Sequence, residues 1–146
     1  MKKYKMDLNQ LEQNIISKKT FLCLGLDTDI DKIPKHLLNS QDPVFDFNKS
    51  LVDRLSSKIV AVKINTAFYE SRGKDGWSSL EKSIDYIKSN HPDLFTIADA
   101  KRADIGNTSE MYAKAFFEKM NFDSITLSPY MGEDSVIEFL KYDDKY

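Results

Sequence analysis

Four short strand-like runs alternate with amphipathic segments along this chain, and this alternation restricts its fold more than any other feature. The runs lie at residues 21–26, 59–65, 94–98 and 123–128, and apolar residues at helical spacing follow each of them. A near-continuous apolar run such as 21–26 is typical of a strand that is covered on both faces, as strands in parallel sheets are. Strict alternation of strands and helices therefore predicts a parallel sheet with right-handed crossovers.

Local signals set the approximate boundaries of these elements. Asp7 and Gln10 have the spacing of a capping box, which predicts a first helix that ends near Ser17. The polar segment 28–43 contains two prolines, so we expect a loop there, with a short helical turn after Pro34.

The positions of two glycines and of the single cysteine predict a loop and a core residue. Gly73 and Gly76 are expected to mark a loop before the helix that His91 and Pro92 end. Cys23 is expected to be a small core residue, because it lies in an apolar run and a single cysteine cannot form an internal disulfide.

Length and composition indicate one globular domain, residues 1–146, with an ordinary share of hydrophobic (41%) and charged (30%) residues. The formal net charge of −2 lacks the basic surplus of nucleic-acid-binding proteins, so we expect no nucleic-acid partner. No apolar stretch approaches the roughly 20 residues that span a bilayer, so we expect no membrane association. The basic residues among positions 1–5 are not followed by the apolar segment of a secretory signal, and a cytoplasmic location is the expectation.

A parallel sheet built from four strand–helix units is compatible with two architectures. One is an open, doubly wound sheet, and the other is part of an eightfold βα barrel. A complete barrel typically needs about 250 residues. The 146 residues of this chain with its four units correspond to half of one.

Charged residues occur at or near the carboxyl ends of three strands, namely Asp27, Lys63, Asp99 and Lys101. A single charged strand end is usually a solvated residue or a simple salt bridge. In a βα barrel, however, this rim carries the active site. We therefore predict that the four side chains converge on one rim of the sheet.

Other site chemistries find little support in the sequence. Neither a Gly-x-Gly-x-x-Gly motif nor a Walker phosphate loop occurs, and one cysteine with two scattered histidines makes a zinc site improbable. Asp27, Asp99 and Asp104 offer oxygen ligands for magnesium. Lysines in the same cluster argue against a metal, because they already supply positive charge. Asp104 and Thr108 are also open to a plain interpretation as helix-capping residues.

The segment Asp99–Thr108 reads Asp-Ala-Lys-Arg-Ala-Asp-Ile-Gly-Asn-Thr. It resembles the Asp-x-Lys-x-x-Asp-Ile-Gly-Asn-Thr signature of orotidine 5′-phosphate decarboxylase, in the longer-chain type 2 branch. The resemblance runs from residue 21 to about residue 146 and includes the segments Leu24–Asp29, Val62–Glu70 and Leu127–Gly132. Two departures are mild, since Ala103 stands where glycine is familiar and Thr28 where proline is common.

This resemblance implies the N-terminal half of a (β/α)8 TIM barrel, with the remainder of the barrel, including the phosphate-binding residues, absent from this chain. The implied reaction is decarboxylation of orotidine 5′-phosphate to uridine 5′-phosphate in de novo pyrimidine biosynthesis. It implies no metal and no cofactor. It further implies a homodimer with shared active sites.

Catalytic roles also follow from the resemblance. Lys101 would donate the proton to carbon 6 of the pyrimidine as carbon dioxide leaves, and Asp99 would lie beside the substrate carboxylate. Lys63 would complete an alternating network of charges. Asp104 would reach into the site of the partner subunit, with Thr108 nearby.

Substrate-binding roles are implied for three residues. Asp27 and Asn65 would bind the ribose or flank the charged network, and Thr108 would lie close to the substrate. These residues stand in the segments that resemble the family, as quoted above.

Two alternatives remain open from the sequence. Magnesium-dependent sugar-phosphate enzymes of the same barrel group, such as keto-gulonate phosphate decarboxylase or hexulose phosphate synthase, share the Asp-x-Lys-x-x-Asp pattern. Lys63 in its Val-Lys-Ile-Asn setting favours the orotidine enzyme over these. The second alternative is an inactive half-chain that acts only in association with another piece.

Overall fold

In the computed structural model, which describes residues 6–146, four parallel strands form one sheet in the order β1-β2-β3-β4. Residues 1–5, on which the expectation about a secretory signal partly rests, lie outside the described residues. The strands are β1 (Cys23–Gly25), β2 (Ala61–Asn65), β3 (Phe95–Arg102) and β4 (Ser124–Leu127).

Helices precede β1 and follow every strand. They are α1 (Leu8–Lys18), α2 (Pro43–Leu55), α3 (Ala67–Glu70), α4 (Gly73–Asn90), α5 (Gly106–Ala113) and α6 (Ile137–Leu140). A π-helical segment, Lys114–Lys119, continues α5, and short 3-10 turns are found at Ile30–Lys32, Lys35–Leu37, Ser56–Lys58, Pro129–Met131 and Glu133–Ser135. Within residues 6–146, none of the helices combines the length and the apolar character needed to cross a bilayer.

The strand order distinguishes between the two architectures that the sequence allows. A doubly wound sheet reverses its strand order near the middle, whereas a βα barrel adds each strand beside the preceding one. The observed order is sequential and every pair is parallel. This topology is that of a barrel segment.

The capping box at the start of α1 is confirmed. The Gln10 backbone N–H donates to Asp7 Oδ1 at 2.8 Å, and the Asp7 backbone N–H donates to Gln10 Oε1 at 2.9 Å. The helix ends at Lys18, one residue beyond the predicted end, where Lys19 adopts a left-handed conformation with φ 52°. The predicted loop at 28–43 is also confirmed, with a 3-10 turn directly after Pro34.

The main core lies between the sheet and the helices that cover its outer face. Val62 and Ile64 of β2 and Ala98 of β3 are fully buried on this face. They pack in one cluster with the apolar sides of α2 and α4, from which Val52 and Leu80 are also buried. Because side chains alternate along a strand, Lys63 between Val62 and Ile64 must point to the opposite, inner face.

Helix α1 covers one end of the inner face. Ala61 of β2 and Phe95 of β3 form a second apolar cluster, against which Leu11 and Ile15 of α1 pack. Lys63 lies two residues beyond Ala61 on the same face. The inner face therefore has an apolar amino-terminal end under α1 and a charged carboxyl-terminal end.

The prediction that β1 is covered on both faces is wrong. Only Leu24 packs against the main core, whereas Cys23 is exposed and Phe21 is 83% exposed. The expectation that Cys23 is a core residue fails for the same reason. Strand β1 forms one edge of the four-stranded sheet, and both of its inner-face residues, Cys23 and Gly25, are exposed.

Gly73 is the first residue of α4, with φ 57°, and Gly76 lies inside the helix, so the predicted loop is limited to the turn at residues 71–72. A Cβ atom built on Gly76 would be 1.8 Å from the Tyr69 carbonyl oxygen. Glycine at this position allows α3 and α4 to pack with their backbones in close contact. The spacing of residues along α4 does not reveal this contact, because it depends on where the backbone of α3 lies.

We predict that Gly76→Ala lowers the free energy of unfolding by about 1–3 kcal/mol or more, because the new methyl group meets backbone and cannot be accommodated by a side-chain rotation. Gly106→Ala is the control, since its nearest neighbour would be a side-chain oxygen at 3.9 Å. Urea denaturation followed by circular dichroism measures both. Equal midpoints for the two variants would contradict the packing argument.

Candidate active site

The carboxyl ends of β1, β2 and β3 bring four charged side chains to one rim of the sheet. Asp27 follows β1 by two residues, Lys63 lies on β2, and Asp99 and Lys101 lie on β3. Parallel pairing places Gly25 beside Lys63 and aligns the end of β2 with Asp99. The predicted convergence of the four side chains on one rim is confirmed.

These four side chains form a chain of alternating charge. Lys63 Nζ lies 3.5 Å from Asp27 Oδ1 and 3.2 Å from Asp99 Oδ2. Lys101 Nζ lies 2.5 Å from the other carboxylate oxygen of Asp99, Oδ1. We refer to Asp27, Lys63, Asp99 and Lys101 as the charged tetrad. Each lysine thus has a carboxylate partner, and Asp99 binds both lysines through different oxygens.

Burial divides the charged tetrad into an inner and an outer part. The Asp99 side chain is 13% exposed, whereas the Lys101 side chain is 61% exposed. Desolvation acts to raise the pKa of the Asp99 carboxyl, but hydrogen bonds from Lys101 and Lys63 outweigh it and hold the pKa below its usual range. The site therefore holds an ionised carboxylate beneath an ammonium group that solvent or a ligand can reach.

Lys63 has a raised pKa. Desolvation acts to lower the pKa of its ammonium group, but the hydrogen bond to Asp99 and the nearby charge of Asp27 outweigh that effect. Lys63 is therefore a fixed positive charge at neutral pH between two carboxylates.

An irregularity in β3 places Lys101 at the rim. Ala98 pairs with Ile125 and Arg102 pairs with Leu127, with a register shift between them. Lys101 has φ 50°, a left-handed conformation that is uncommon for a residue with a side chain. Bulges and strained backbone of this kind are typical of functional sites, where they redirect a side chain.

A buried polar network supports the loop that carries Asp27. The Tyr69 hydroxyl donates to the Leu26 carbonyl at 2.8 Å and accepts from Asn48 Nδ2 at 2.9 Å. Thr28 Oγ1 donates to Asn48 Oδ1 at 2.6 Å. The network therefore holds the residues on both sides of Asp27, and burial raises the pKa of Tyr69 to about 12.

Asn65 lies beside the charged tetrad and contacts it through its backbone. Its N–H donates to Asp27 Oδ1 at 3.3 Å, and its side-chain oxygen accepts from the Ala67 N–H at 3.1 Å. The side-chain oxygen is therefore engaged at the start of α3.

Asp104 and Thr108 lie in the segment after β3, outside the charged tetrad. Within residues 6–146, no ion pair joins Asp104 to Lys63 or Lys101; its carboxylate accepts from the Ile105 N–H at 2.8 Å. Thr108 is not the N-cap of α5, because the helix already begins at Gly106. The capping interpretation of Thr108 is therefore wrong, and Thr108 lies in the first turn of the helix.

Thr126 at the carboxyl end of β4 also contacts the charged tetrad, and the sequence did not single it out. Its hydroxyl hydrogen-bonds to Asp99 Oδ1 at 3.0 Å. The only signal in the sequence was a threonine one residue before the end of β4, which is followed by Ser128 and Pro129. A threonine in a strand is too common for that signal to stand alone.

The described residues, 6–146, contain no group of three or more histidine, cysteine, aspartate or glutamate side chains arranged to hold a metal ion. The carboxylates of Asp27 and Asp99 both lie within ion-pair distance of Lys63. Ammonium groups thus occupy positions that a cation would otherwise take. The rim therefore presents lysine ammonium groups directly beside the carboxylate of Asp99.

We predict that Tyr69→Phe lowers the free energy of unfolding by about 1–3 kcal/mol, because it leaves the buried Leu26 carbonyl without its donor and removes one of the two acceptors of the Asn48 amide N–H₂ group. Tyr86→Phe is the matched control, since it removes a hydroxyl that donates to Asp53 at the surface. Chemical denaturation of the two variants provides the measurement. A loss no greater for Tyr69→Phe than for Tyr86→Phe would show that the buried network contributes little.

Comparison with known proteins identifies relatives over almost the whole chain. The model of the orotidine 5′-phosphate decarboxylase / HUMPS family matches residues 20–146. The orotidine 5′-phosphate decarboxylase of Flavobacterium johnsoniae is 58% identical over 141 residues, which are 97% of this chain and 52% of that protein. The protein of the same name from Phocaeicola vulgatus gives the same identity and coverage. The chain thus spans about half the length of the curated relatives it matches.

Solved structures agree with this assignment. The crystal structure of a proposed orotidine-monophosphate decarboxylase from Toxoplasma gondii superposes with a TM-score of 0.88 at 30% identity, over 99% of this chain and 48% of that one. The Leishmania donovani OMP decarboxylase gives a TM-score of 0.76 at 31% identity, over 94% of this chain and 50% of that one. The prediction of half a TIM barrel is confirmed. The chain belongs to the orotidine 5′-phosphate decarboxylase / HUMPS family.

Proposed function

We propose that this chain supplies the charged half of an orotidine 5′-phosphate decarboxylase, which forms uridine 5′-phosphate in the cytoplasm during de novo pyrimidine biosynthesis. The observation that carries the proposal is the charged tetrad, in which Asp99 lies between two lysines. The names of the relatives support the same reaction.

In this proposal Lys101 is the proton donor. Decarboxylation breaks the bond between carbon 6 of the pyrimidine and the carboxylate, releases carbon dioxide and leaves an electron pair on carbon 6. An ammonium group fixed beside that carbon stabilises the developing negative charge and then transfers its proton to it. The 61% exposure of the Lys101 side chain is consistent with access to a substrate above the rim.

Asp99 and Lys63 have supporting roles in the proposal. Asp99 lies beside the substrate carboxylate, where its negative charge disfavours the bound substrate more than the transition state, from which the carboxylate charge is leaving. Lys63 neutralises the inner oxygen of Asp99, to which it lies at 3.2 Å, and connects it to Asp27.

Substrate binding is assigned to Asp27, Asn65 and Thr108. Asp27 and Asn65 lie at the end of the charged tetrad opposite Lys101, and their proposed role is to bind the ribose or to flank the charged network. Thr108 lies in the first turn of α5, four residues after Asp104.

The proposed reaction needs neither metal nor cofactor, because Lys63 and Lys101 supply the positive charge. A magnesium-dependent sugar-phosphate enzyme is the alternative within this family, and the names of the curated relatives do not favour it. Chelation distinguishes the two: full activity in excess chelator supports the orotidine enzyme, and complete loss supports the sugar-phosphate enzyme.

The other half of the barrel has a function in this proposal. Phosphate sites in βα barrels typically come from the loops after strands 7 and 8, which the four strands of this chain do not include. Binding a non-reacting phosphate fixes the reacting end of a substrate, so its loss lowers turnover as well as affinity. We expect residues 1–146 alone to be inactive, and either poorly soluble or paired with a complementary piece.

The test uses a fused barrel, in which this chain is joined after Tyr146 to the half of the Flavobacterium johnsoniae protein that it does not match. We predict that the fused barrel decarboxylates orotidine 5′-phosphate and that Lys101→Ala lowers its kcat by about 10²–10⁴-fold, the range for loss of a general acid. Lys82→Ala is the control, since Lys82 pairs with Asp42 at the start of α2 and not with a residue of the charged tetrad. Absorbance of the pyrimidine follows the reaction.

Two outcomes would each contradict one part of the proposal, namely the role of Lys101 and the need for a second half of the barrel. One is near-normal turnover in the Lys101→Ala barrel, and the other is substantial turnover by residues 1–146 alone as a monomer in sedimentation experiments. The second would show that the chain does not need the other half.

We also propose that the complete protein is a homodimer in which Asp104 completes the active site of the partner. Asp104 is not ion-paired with Lys63 or Lys101 of its own chain, which leaves it available for a neighbour. Two apolar side chains close to it are exposed, Ile105 at 56% and Met111 at 52%. A twofold interface would use this patch on both subunits and produce two composite sites.

Mixing inactive variants tests the shared site. In the fused barrel, Asp104→Ala and Lys101→Ala subunits are expected to recover about a quarter of the normal activity after exchange, because half the dimers would contain one intact site of two. Lys101→Ala mixed with Asp99→Asn is the control, since both changes affect the same subunit's contribution and no intact site can form. Equal lack of recovery in both mixtures would contradict the shared site.

A further inference from the structure

One residue of β4 lies opposite three residues of β3 at the rim. Pairing stops after Ala98 with Ile125 and resumes at Arg102 with Leu127, so the segment 99–101 faces Thr126 alone. The register shift removes the regular ladder partner of the Lys101 N–H. That N–H donates instead to Thr126 Oγ1 at 3.0 Å.

The Thr126 hydroxyl makes a second contact that closes a ring. It donates to Asp99 Oδ1 at 3.0 Å, and the same oxygen accepts from Lys101 Nζ at 2.5 Å. Lys101 is therefore held at both ends, by its backbone N–H on the hydroxyl and by its ammonium group on the carboxylate. The donor and acceptor capacities of one hydroxyl are both used at the site.

We propose that Thr126 is a positioning residue of the decarboxylation reaction, whose hydroxyl sets the orientation of Asp99 and the backbone of Lys101. This inference rests on the proposed function. It assigns Thr126 no contact with the substrate; the residue acts through the proton donor and the carboxylate beside it.

The physical need for this hydroxyl comes from the backbone of Lys101. A left-handed conformation, here with φ 50°, is unfavourable for lysine and persists only when surrounding contacts enforce it. The hydrogen bond from its N–H is one such contact. The Thr126 bond to Oδ1, together with Lys63 on Oδ2 at 3.2 Å, also fixes the rotation of the Asp99 carboxylate.

A similar contact elsewhere in the sheet provides an internal control. Thr96 Oγ1 donates to Asp123 Oδ2 at 2.8 Å and accepts from the Asp123 N–H at 3.1 Å. This pair has the same chemistry as Thr126 with Asp99 and Lys101. It lies at the start of β3 and β4, at the opposite end of the sheet from the rim.

The test compares Thr126→Val, Thr126→Ser and Thr96→Val in the fused barrel. Valine keeps the shape of threonine and removes the hydroxyl. We expect Thr126→Val to lower kcat about tenfold to a hundredfold, which corresponds to the loss of a hydrogen bond to a charged group, with a smaller change in KM. Thr126→Ser should restore most of the turnover, and Thr96→Val should lower stability without this loss of kcat.

A second measurement does not depend on activity. Carbon-13 labelling allows the Asp99 carboxyl to be titrated by NMR in the parent and variant barrels. The charged groups that face it are Lys63 from β2, Lys101 from β3 and, beyond Lys63, Asp27 after β1. Loss of the Thr126 donor removes a bond to the ionised form, so the pKa of Asp99 should rise in Thr126→Val and stay unchanged in Thr96→Val.

The two measurements separate the inference from the proposed function. An inactive parent barrel would count against the proposed function alone, and the titration would still decide the role of Thr126. An unchanged pKa of Asp99 in Thr126→Val would overturn the inference. Equal losses of kcat in Thr126→Val and Thr96→Val, or no recovery with Thr126→Ser, would overturn it as well.

Discussion

The Asp99 carboxylate is the interaction on which the rim depends. It accepts from Lys63 of β2, Lys101 of β3 and Thr126 of β4, so one side chain connects three neighbouring strands. Pairing two lysines with one partly buried carboxylate compensates the cost of desolvating it. Without the Asp99 carboxylate, the ammonium groups of Lys63 and Lys101 would repel each other, and Asp27 would be the remaining negative charge of the tetrad.

The ion pair at the opposite end of the sheet differs from the charged tetrad in burial. There Asp123 binds Lys88 at 2.5 Å, but the two side chains are only 4% and 12% exposed. Burial lowers the pKa of Lys88 despite its partner, whereas carboxylates hold the pKa of Lys63 above its usual value. A sealed ion pair such as this one, between Lys88 of α4 and the residue before β4, can only hold a helix against the sheet. A chain of charges that ends in an exposed lysine can also act on a substrate.

Residue spacing predicted the elements and the rim well, because both follow from local periodicity and from the rule that parallel strands end on one side. It could not predict the exposure of Cys23, which depends on β1 being an edge strand, or the burial of Gly76 against Tyr69. The hydroxyl of Thr126 was missed for a related reason. Its importance arises from a bulge in β3, and pairing between strands distant in sequence decides where a bulge lies.

The sheet as it stands is not a closed structure. In the described residues, β1 is exposed on one face and the far edge of β4 is hydrogen-bonded to Tyr146. Tyr146 N–H donates to the Asp123 carbonyl at 3.0 Å, and the Ile125 N–H donates to the Tyr146 carbonyl at 2.9 Å, so the last residue already lies beside β4 as a neighbouring strand would. In a barrel, further strands would continue from this edge and close against β1, which covers the inner face where Lys63 and Cys23 lie. Closure would exclude water around the charged tetrad, and that strengthens each of its electrostatic interactions. The charged groups are thus assembled by the four strands described, and barrel closure would add low-dielectric surroundings that strengthen their interactions.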